Sequence, residues 1–400
     1  MTLPLAGIKV VDLSEHGFVP SAAAVLADWG ADVVKVERLQ GDAMRGIIGN
    51  GMVATVDNVD FLFQLVNRNK RGIALDIETK AGREIFDKLI ARADVYITNQ
   101  LPRVRRKLKT EPADLFAVNP KLVYAKGSGQ GQRGADAEAG GFDAVSYWAR
   151  GGVGHVLSDP AAAMPTAQRP ALGDVPTGMF FAGGVCAALV HTMRTGKGVV
   201  VDTSLLNGAT WALSPDMAYA SLSGEQLPMP TNQVRSPIMQ TYRTADARFI
   251  TLMCIDEARY WAQACRAVGV EEYIEAYPDP ASRRAAWEPM TAHFREVIGN
   301  MTQSELVARL RAEDCIFSLF QTPPEVVADR AVVDNGYLMS HPDHPTLKLS
   351  AAPAQFDDEI PSIRRRGPSI GEHSREILLE LGYSEADIDV LLHDNVTAIS

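Results

Sequence analysis

Ile8-Lys-Val-Val-Asp-Leu13, then Ser21-Ala-Ala-Ala-Val-Leu-Ala-Asp-Trp29 with Gly30 behind it, then Asp32-Val-Val-Lys-Val36 follow one another across short loops. The outer two are apolar runs rich in valine, the pattern of strands buried on both faces. The middle run reads as a helix stopped by Gly30. A strand, a helix and a second strand in this order form a βαβ opening, which sets two strands parallel with the helix across one face. The alternation continues with strands at 73–77, 95–98 and 122–125 and a helix at 80–93, where Ile85, Phe86, Leu89 and Ile90 share one face. The expected class is therefore α/β, a mostly parallel sheet covered by helices.

Further along, 179–193 reads as a long buried helix, Gly196-Lys-Gly198 as a turn and 199–203 as a strand. Leu227-Pro-Met-Pro-Thr-Asn-Gln-Val-Arg-Ser-Pro237 is the best candidate boundary. Beyond it a hairpin is expected over 241–251 around Ala245-Asp246-Ala247, followed by helices, one opened by a capping box at Thr302 and Glu305. The loop-rich tail from Asp329 ends in helices at 374–381 and after Ser384 and Asp387. Three segments result: a large domain at 1–225, a smaller α+β unit at 226–330 and a C-terminal segment at 331–400.

At 400 residues, 46% hydrophobic and 22% charged, the chain has a globular composition. A net charge of -10 and a pI near 5.4 argue against general nucleic-acid binding. Met1-Thr-Leu-Pro-Leu-Ala-Gly7 lacks the basic and apolar regions of a signal peptide, and no uninterrupted apolar stretch approaches 18 residues. The chain thus reads as cytoplasmic and independent of a membrane. Cys186, Cys254, Cys265 and Cys315 lack metal-ligand spacing, and His341-Pro-Asp343-His344 reads as a surface loop before a metal site, so no metal is expected. Arg68, Lys70 and Arg71, and Arg103, Arg105, Arg106, Lys107 and Lys109, are either solvated faces or the grip on a small polyanion.

Chemistry points to Ala171-Leu-Gly-Asp-Val175, which runs into Pro176-Thr-Gly178 and an apolar helix. A carboxylate can attack an activated acyl group and split one hard transfer into two easier steps. Glycine before Asp174 admits a substrate, and the free N–H groups of the first helical turn favour an anion, so Asp174 is expected to stay ionised at neutral pH. Gly127-Ser-Gly-Gln-Gly131 follows a strand but has neither dinucleotide-loop spacing nor a complete nucleophile elbow.

These residues also resemble a known family, the class III CoA-transferases (CaiB/BaiF, formyl-CoA transferase-like). The likeness rests on Leu5-Ala-Gly-Ile-Lys-Val-Val-Asp-Leu13, Leu26-Ala-Asp-Trp-Gly-Ala-Asp-Val-Val-Lys-Val-Glu37, Gly41-Asp42 with Arg45, and Asn67-Arg-Asn-Lys-Arg71. Ala93-Asp-Val95 leading to Asn99, Asn119-Pro120, the Asp174 segment, Thr195-Gly-Lys-Gly198 and Gly367-Pro-Ser-Ile-Gly-Glu-His373 complete it. The resemblance implies an interlocked homodimer, each subunit with a Rossmann-like large domain and a small domain, and a tail that returns to the large domain. It implies transfer of coenzyme A from an acyl-CoA thioester to a carboxylic acid through an aspartyl anhydride and an aspartyl-CoA thioester on Asp174, with no metal.

For coenzyme A it points to Arg38, Asn69, Lys70, Arg71, Asn99 and one of Arg106 or Lys107, with His16, Gly17 and Phe18 beside the thioester. Ser128 and Gly129 would supply oxyanion donors. Phe18 and Val19 stand where the family often has a small residue and glycine before Pro20. The stretch Phe142-Asp-Ala-Val-Ser-Tyr-Trp-Ala-Arg-Gly-Gly152 resembles the branch acting on aryl or branched 2-hydroxy acids, cinnamate-like acids or bile acids. There Phe142, Tyr147 and Trp148 suit a bulky apolar acyl group and Arg150 a carboxylate, while Tyr147 and Trp148 equally suit a core. Racemases of the same fold carry histidine before an aspartate, whereas here the segment is Gly141-Phe142-Asp143, and phenylalanine carries no proton. The alternatives are an acyl-CoA racemase or isomerase, and a CoA- or dinucleotide-binding protein without turnover.

Overall fold

Strand β1 (Lys9–Leu13) lies inside a seven-stranded sheet of the computed structural model, which describes residues 3–47, 51, 53, 56–57, 59–228 and 235–400. Its companions are β2 (Asp32–Glu37), β3 (Arg71–Leu75), β4 (Val95–Thr98), β5 (Val123–Ser128) and β6 (Val199–Ser204), all parallel. The chain separates into two compact units, one made of 1–222 with 331–400 and the other of 223–330. Part of the proline-rich stretch read as a boundary, 229–234, lies outside the described residues.

The valine runs explain why the sheet is buried on both sides. Val10, Val33, Val95, Ile97, Val123 and Ala125 face the helices Phe18–Asp28 and Asp174–Thr195. Their neighbours Val11, Val34, Val36, Tyr96 and Tyr124 face the helix Lys80–Arg92, with Leu115, and Ile377 and Leu378 of the helix Ser374–Glu380. Each such side chain contributes roughly 1.5–3 kcal/mol on leaving water. Helix Asp174–Thr195 is long and apolar enough to cross a membrane by length and composition, and its inner residues Phe181, Ala182 and Val185 belong to the core.

In the second unit, β7 (Thr241–Arg243), β8 (Phe249–Leu252) and β9 (Phe317–Leu319) form an antiparallel sheet with β8 central. Ile250, Leu252, Trp261, Phe294 and Leu306 fill its core with helices Glu257–Val268, Trp287–Gly299 and Gln303–Ala312. Thr302 caps the last of these, but Glu305 pairs with Arg309 at 2.9 Å, so the expected reciprocal box is only half made. Back in the first unit, β10 (Leu338–Ser340) and β11 (Lys348–Ser350) form a ribbon, and β12 (Thr397–Ala398) pairs antiparallel with β3. The large sheet runs β12-β3-β2-β1-β4-β5-β6, so its order reverses direction at β1 and β4. Open α/β sheets bind ligands in the crevice outside the strand carboxyl ends at such a point.

The loop leaving β1 at that crevice is held from below by buried charge. Lys70 Nζ, fully buried, donates to Asp12 Oδ2 at 2.8 Å and to the Pro20 carbonyl and Asn67 Oδ1 at 2.9 Å. Lys35, equally buried, donates to Asp42 Oδ2 at 2.8 Å and to the Ser14 carbonyl at 2.9 Å. Asp42 in turn accepts the His16 N–H at 3.1 Å. Burial pulls the Lys70 ammonium down to about 8 even though Asp12 opposes it. For Lys35 burial acts in the same direction, yet Asp42, Asp12 and Glu37 together hold it above its ordinary value. Removing one partner of a buried pair leaves an uncompensated charge and costs about 3–5 kcal/mol. Lys70→Met is therefore expected to lower the thermal midpoint by many degrees in scanning calorimetry; a midpoint within a degree or two of the parent would contradict this account of the loop.

Candidate active site

Eight of the residues singled out in the sequence line one cavity of about 230 Å³ outside β1, β4 and β5: His16, Gly17, Phe18, Asn99, Ser128, Gly129, Phe142 and Asp174. A second cavity of about 610 Å³ lies beside it and is lined by Arg38 and Lys107, with Glu15, Gln100 and Val104 lining both. These eight residues come from five places in the chain. His16 to Phe18 follow β1, Asn99 follows β4, Ser128 ends β5 with Gly129 after it, Phe142 lies between β5 and the helix of Asp174, and Asp174 is the first residue of that helix.

The two loops at the crevice are tied together, because Asn99 Nδ2 donates to the Glu15 carbonyl at 2.7 Å and its Oδ1 accepts the Glu15 N–H at 3.0 Å. His16 has φ 67°, the left-handed region that non-glycine residues reach only when their surroundings hold them there. Gly17 is required by contact: a Cβ on it would fall 2.4 Å from Asp174 Oδ2. The Asp174 carboxylate thus rests against bare backbone.

Its charge state differs from the expectation of an ordinary ionised carboxylate. Burial, and next the Asp143 carboxylate, push Asp174 up to about 7. Asp143 has taken the favourable position at the helix N-terminus, where its Oδ2 accepts the Gly173 N–H at 2.9 Å and the Asp174 N–H at 3.3 Å. Gln168 Nε2 donates to its other oxygen at 2.7 Å. The N–H groups invoked to stabilise Asp174 serve Asp143 instead.

Several expected contacts with coenzyme A fall elsewhere. Lys70 is enclosed by Asp12, Pro20 and Asn67 and cannot meet a ligand. Asn69 donates to Asp28 at 2.8 Å and accepts the N–H groups of Arg364 and Arg365 at 2.8 and 3.0 Å. Arg71 pairs with Asp32, Glu376 and Glu380, each at 2.7 Å, away from both cavities. Of the two alternatives in the basic run, both are paired, Lys107 with Glu78 and Arg106 with Glu138, each at 2.7 Å, and Lys107 is the one that lines the larger cavity. Tyr147 belongs to the core, Trp148 Nε1 donates to the Thr166 carbonyl at 3.2 Å, and Arg150 pairs with Asp136 at 2.7 Å. None of these three lines the small cavity, so Arg150 is not placed to hold a substrate carboxylate.

His341 accepts the N–H groups of Asp343 and His344 through Nδ1 and meets Gln64 through Nε2 at 3.0 Å, which makes that loop a brace. Sequence reasoning missed Asp143 as the cap of Asp174's helix, and also Glu15, Gln100, Leu101, Val104 and Leu205 as cavity walls. The capping role of Asp143 spans 31 residues, beyond any local signal.

The sequence model described as CoA-transferase family III matches residues 5–374. A (R)-2-hydroxy-4-methylpentanoate CoA-transferase of Clostridioides difficile is 30% identical over 96% of this chain and 97% of its own length. An alpha-methylacyl-CoA racemase of Mus musculus is also 30% identical, over 98% of this chain and 97% of its own. The crystal structure of a CAIB/BAIF family protein from Brucella suis superposes with a TM-score of 0.80 at 27% identity, covering 95% of this chain and all of that one.

The raised Asp174 carboxyl has a thermodynamic signature. Between the ordinary value of 3.8 and about 7 the folded protein retains a proton that the unfolded chain has lost, so stability falls as pH rises through that window. Asp174→Asn removes this dependence. The variant is expected to match the parent in melting point near pH 4 and to exceed it above pH 7, by roughly 2–4 kcal/mol in calorimetry. An equal difference at both pH values would refute the burial argument.

Proposed function

The chain belongs to CoA-transferase family III, and we propose that it moves coenzyme A from an acyl-CoA thioester to a hydrophobic carboxylic acid, with Asp174 as covalent nucleophile. One observation carries this reading: a desolvated carboxylate, seated on Gly17, shares a cavity whose walls continue into a larger one bearing Arg38 and Lys107. The larger space and its cations suit the phosphates of coenzyme A.

Asp174 attacks the thioester carbonyl, the carbon–sulfur bond breaks, and CoA leaves as thiolate, giving an aspartyl anhydride. Thiolate attack at the Asp174 carbonyl releases the first acid and forms an aspartyl-CoA thioester. The acceptor carboxylate attacks that thioester to form a new anhydride, and the thiolate takes its acyl group and frees Asp174. The Ser128–Gly129 corner lines the same cavity and is the proposed source of N–H donors for each oxyanion.

The homodimer belongs to the same proposal. Phe180, Val190 and Met193 on helix Asp174–Thr195, with Trp211 and Leu222, leave apolar surface exposed, and sedimentation at twice the chain's 43.3 kDa is expected. A second reading, exchange of the proton on the acyl α-carbon, is supported by His16 and Asp174 lining one cavity. It requires deuterium uptake from heavy water without an acceptor acid, which the transferase does not.

Incubation with a panel of acyl-CoA thioesters followed by hydroxylamine should leave a hydroxamate on Asp174, read by peptide mass spectrometry. Asp174→Ala should show none while still binding CoA; an unlabelled parent that binds CoA would sink the nucleophile. Because the carboxylate must be ionised to attack, kcat/KM should fall about tenfold per pH unit below about 7, and a rate unchanged between pH 5 and 7 would contradict the assignment.

A further inference from the structure

Two thiols that the proposed transfer does not use meet at one end of the small sheet. Strands β8 and β9 pair antiparallel, with Ile250 opposite Leu319, Thr251 opposite Ser318 and Leu252 opposite Phe317. Carried two residues further, this register sets Cys254 opposite Cys315. The two segments are still in step there, because the Met253 N–H donates to the Ile316 carbonyl at 3.0 Å. Side chains alternate across a strand. Cys254 accordingly follows Leu252 into the core and Cys315 packs against that core with Phe317, while Met253 and Ile316 are exposed. The Cys254 Sγ lies 3.5 Å from the carbonyl oxygen of Ile316, the residue next to Cys315.

In an antiparallel ladder the pair that flanks a hydrogen-bonded one has its Cα atoms about 4.5 Å apart. Disulfides span Cα separations of roughly 4.4–6.8 Å, so the two sulfurs can bond without displacing the backbone. Their acidity suits the reaction as well. The Cys315 thiol donates to the Cys254 sulfur and, against burial, holds Cys254 down to about 7, where the nucleophilic thiolate is present at neutral pH. The other two cysteines lack both features. Burial pushes Cys265, on the helix Glu257–Val268, up to about 12, and Cys186, raised by burial too, belongs to the other unit.

We propose that Cys254 and Cys315 are a modification site, a cross-strand dithiol that hydrogen peroxide closes to a disulfide and a small thiol reopens. One thiolate of the pair attacks a peroxide oxygen, the O–O bond breaks, and the sulfur becomes a sulfenic acid as the first water leaves. The second thiol attacks that sulfur, the S–S bond forms, the S–O bond breaks and a second water leaves. The sulfurs lose two electrons, the peroxide gains them, and both thiol protons end in water. Reopening passes the disulfide to two molecules of the reducing thiol. The bond joins the two ends of the segment that holds helices Glu257–Val268, Trp287–Gly299 and Gln303–Ala312, and so ties the helical layer to its sheet. None of this depends on the chemistry of Asp174.

The test treats the full chain, reduced and then freed of reductant, with hydrogen peroxide. Remaining thiols are blocked with N-ethylmaleimide in denaturant, and the chain is digested without reduction for peptide mass spectrometry. We expect the Cys254 and Cys315 peptides to be joined, with Cys186 and Cys265 alkylated and the link lost on adding dithiothreitol. Amide hydrogen exchange in helices Glu257–Val268 and Gln303–Ala312 should slow at least about tenfold in the oxidised chain. Peroxide-treated Cys315→Ser should show neither the link nor the slowing. Both thiols alkylated after peroxide, a link from either to Cys265 or to a second chain, or a linked parent whose exchange is unchanged would each overturn the proposal. The peptide map and the exchange comparison need only the parent chain, so both hold if the variant fails to fold.

Discussion

Two lysines without solvent, Lys35 and Lys70, are the condition on which the crevice depends. Each sits between an aspartate and a backbone carbonyl, and the carbonyls belong to Ser14 and Pro20, on either side of the segment that carries His16, Gly17 and Phe18. A buried ion pair is weak evidence for stability, because desolvating both charges consumes most of their attraction. What such a cluster does well is penalise alternatives, since any other path for this loop would strand a charge. The left-handed His16, whose N–H Asp42 accepts, follows from that constraint.

The same economy of water governs Asp174. Taking a carboxylate out of solvent makes it a stronger nucleophile and a weaker acid at once. Asp143 sharpens the conflict by occupying the N–H groups of the helix start and adding a second negative charge nearby. In the proposed transfer, formation of a neutral anhydride would remove the charge that the pocket tolerates poorly.

How much of this was legible depended on whether the cause was local. Strands buried on both faces announce themselves as valine runs, so β1, β2 and β4 stood out, and the parallel sheet with them. The start of the helix Asp174–Thr195 was legible in Asp174 and Pro176, while its buried apolar run was read from 179. Strands β9 and β12, of three and two residues, carry no periodic signal. Asp174, Gly17 and Phe142, singled out for their chemistry or their place in a motif, line one cavity. Lys70, Asn69 and Arg71 lie outside both cavities for one reason: a basic cluster suggests a ligand, while Asp12, Asp28 and Asp32, which pair with it, arrive from other parts of the chain.

The pairing of β12 with β3 joins residues 323 positions apart, with Thr397 Oγ1 donating to the Ala74 carbonyl at 2.7 Å. Ribosomes add about 5–20 residues each second, so β3 spends some 15–60 s of synthesis, by the same estimate, with one side of its backbone unmatched. An unpaired strand edge is a template for the wrong neighbour. The nascent polypeptide therefore passes through a vulnerable interval that no property of the finished molecule reveals, and its safe passage depends on what shields that edge while the second unit emerges.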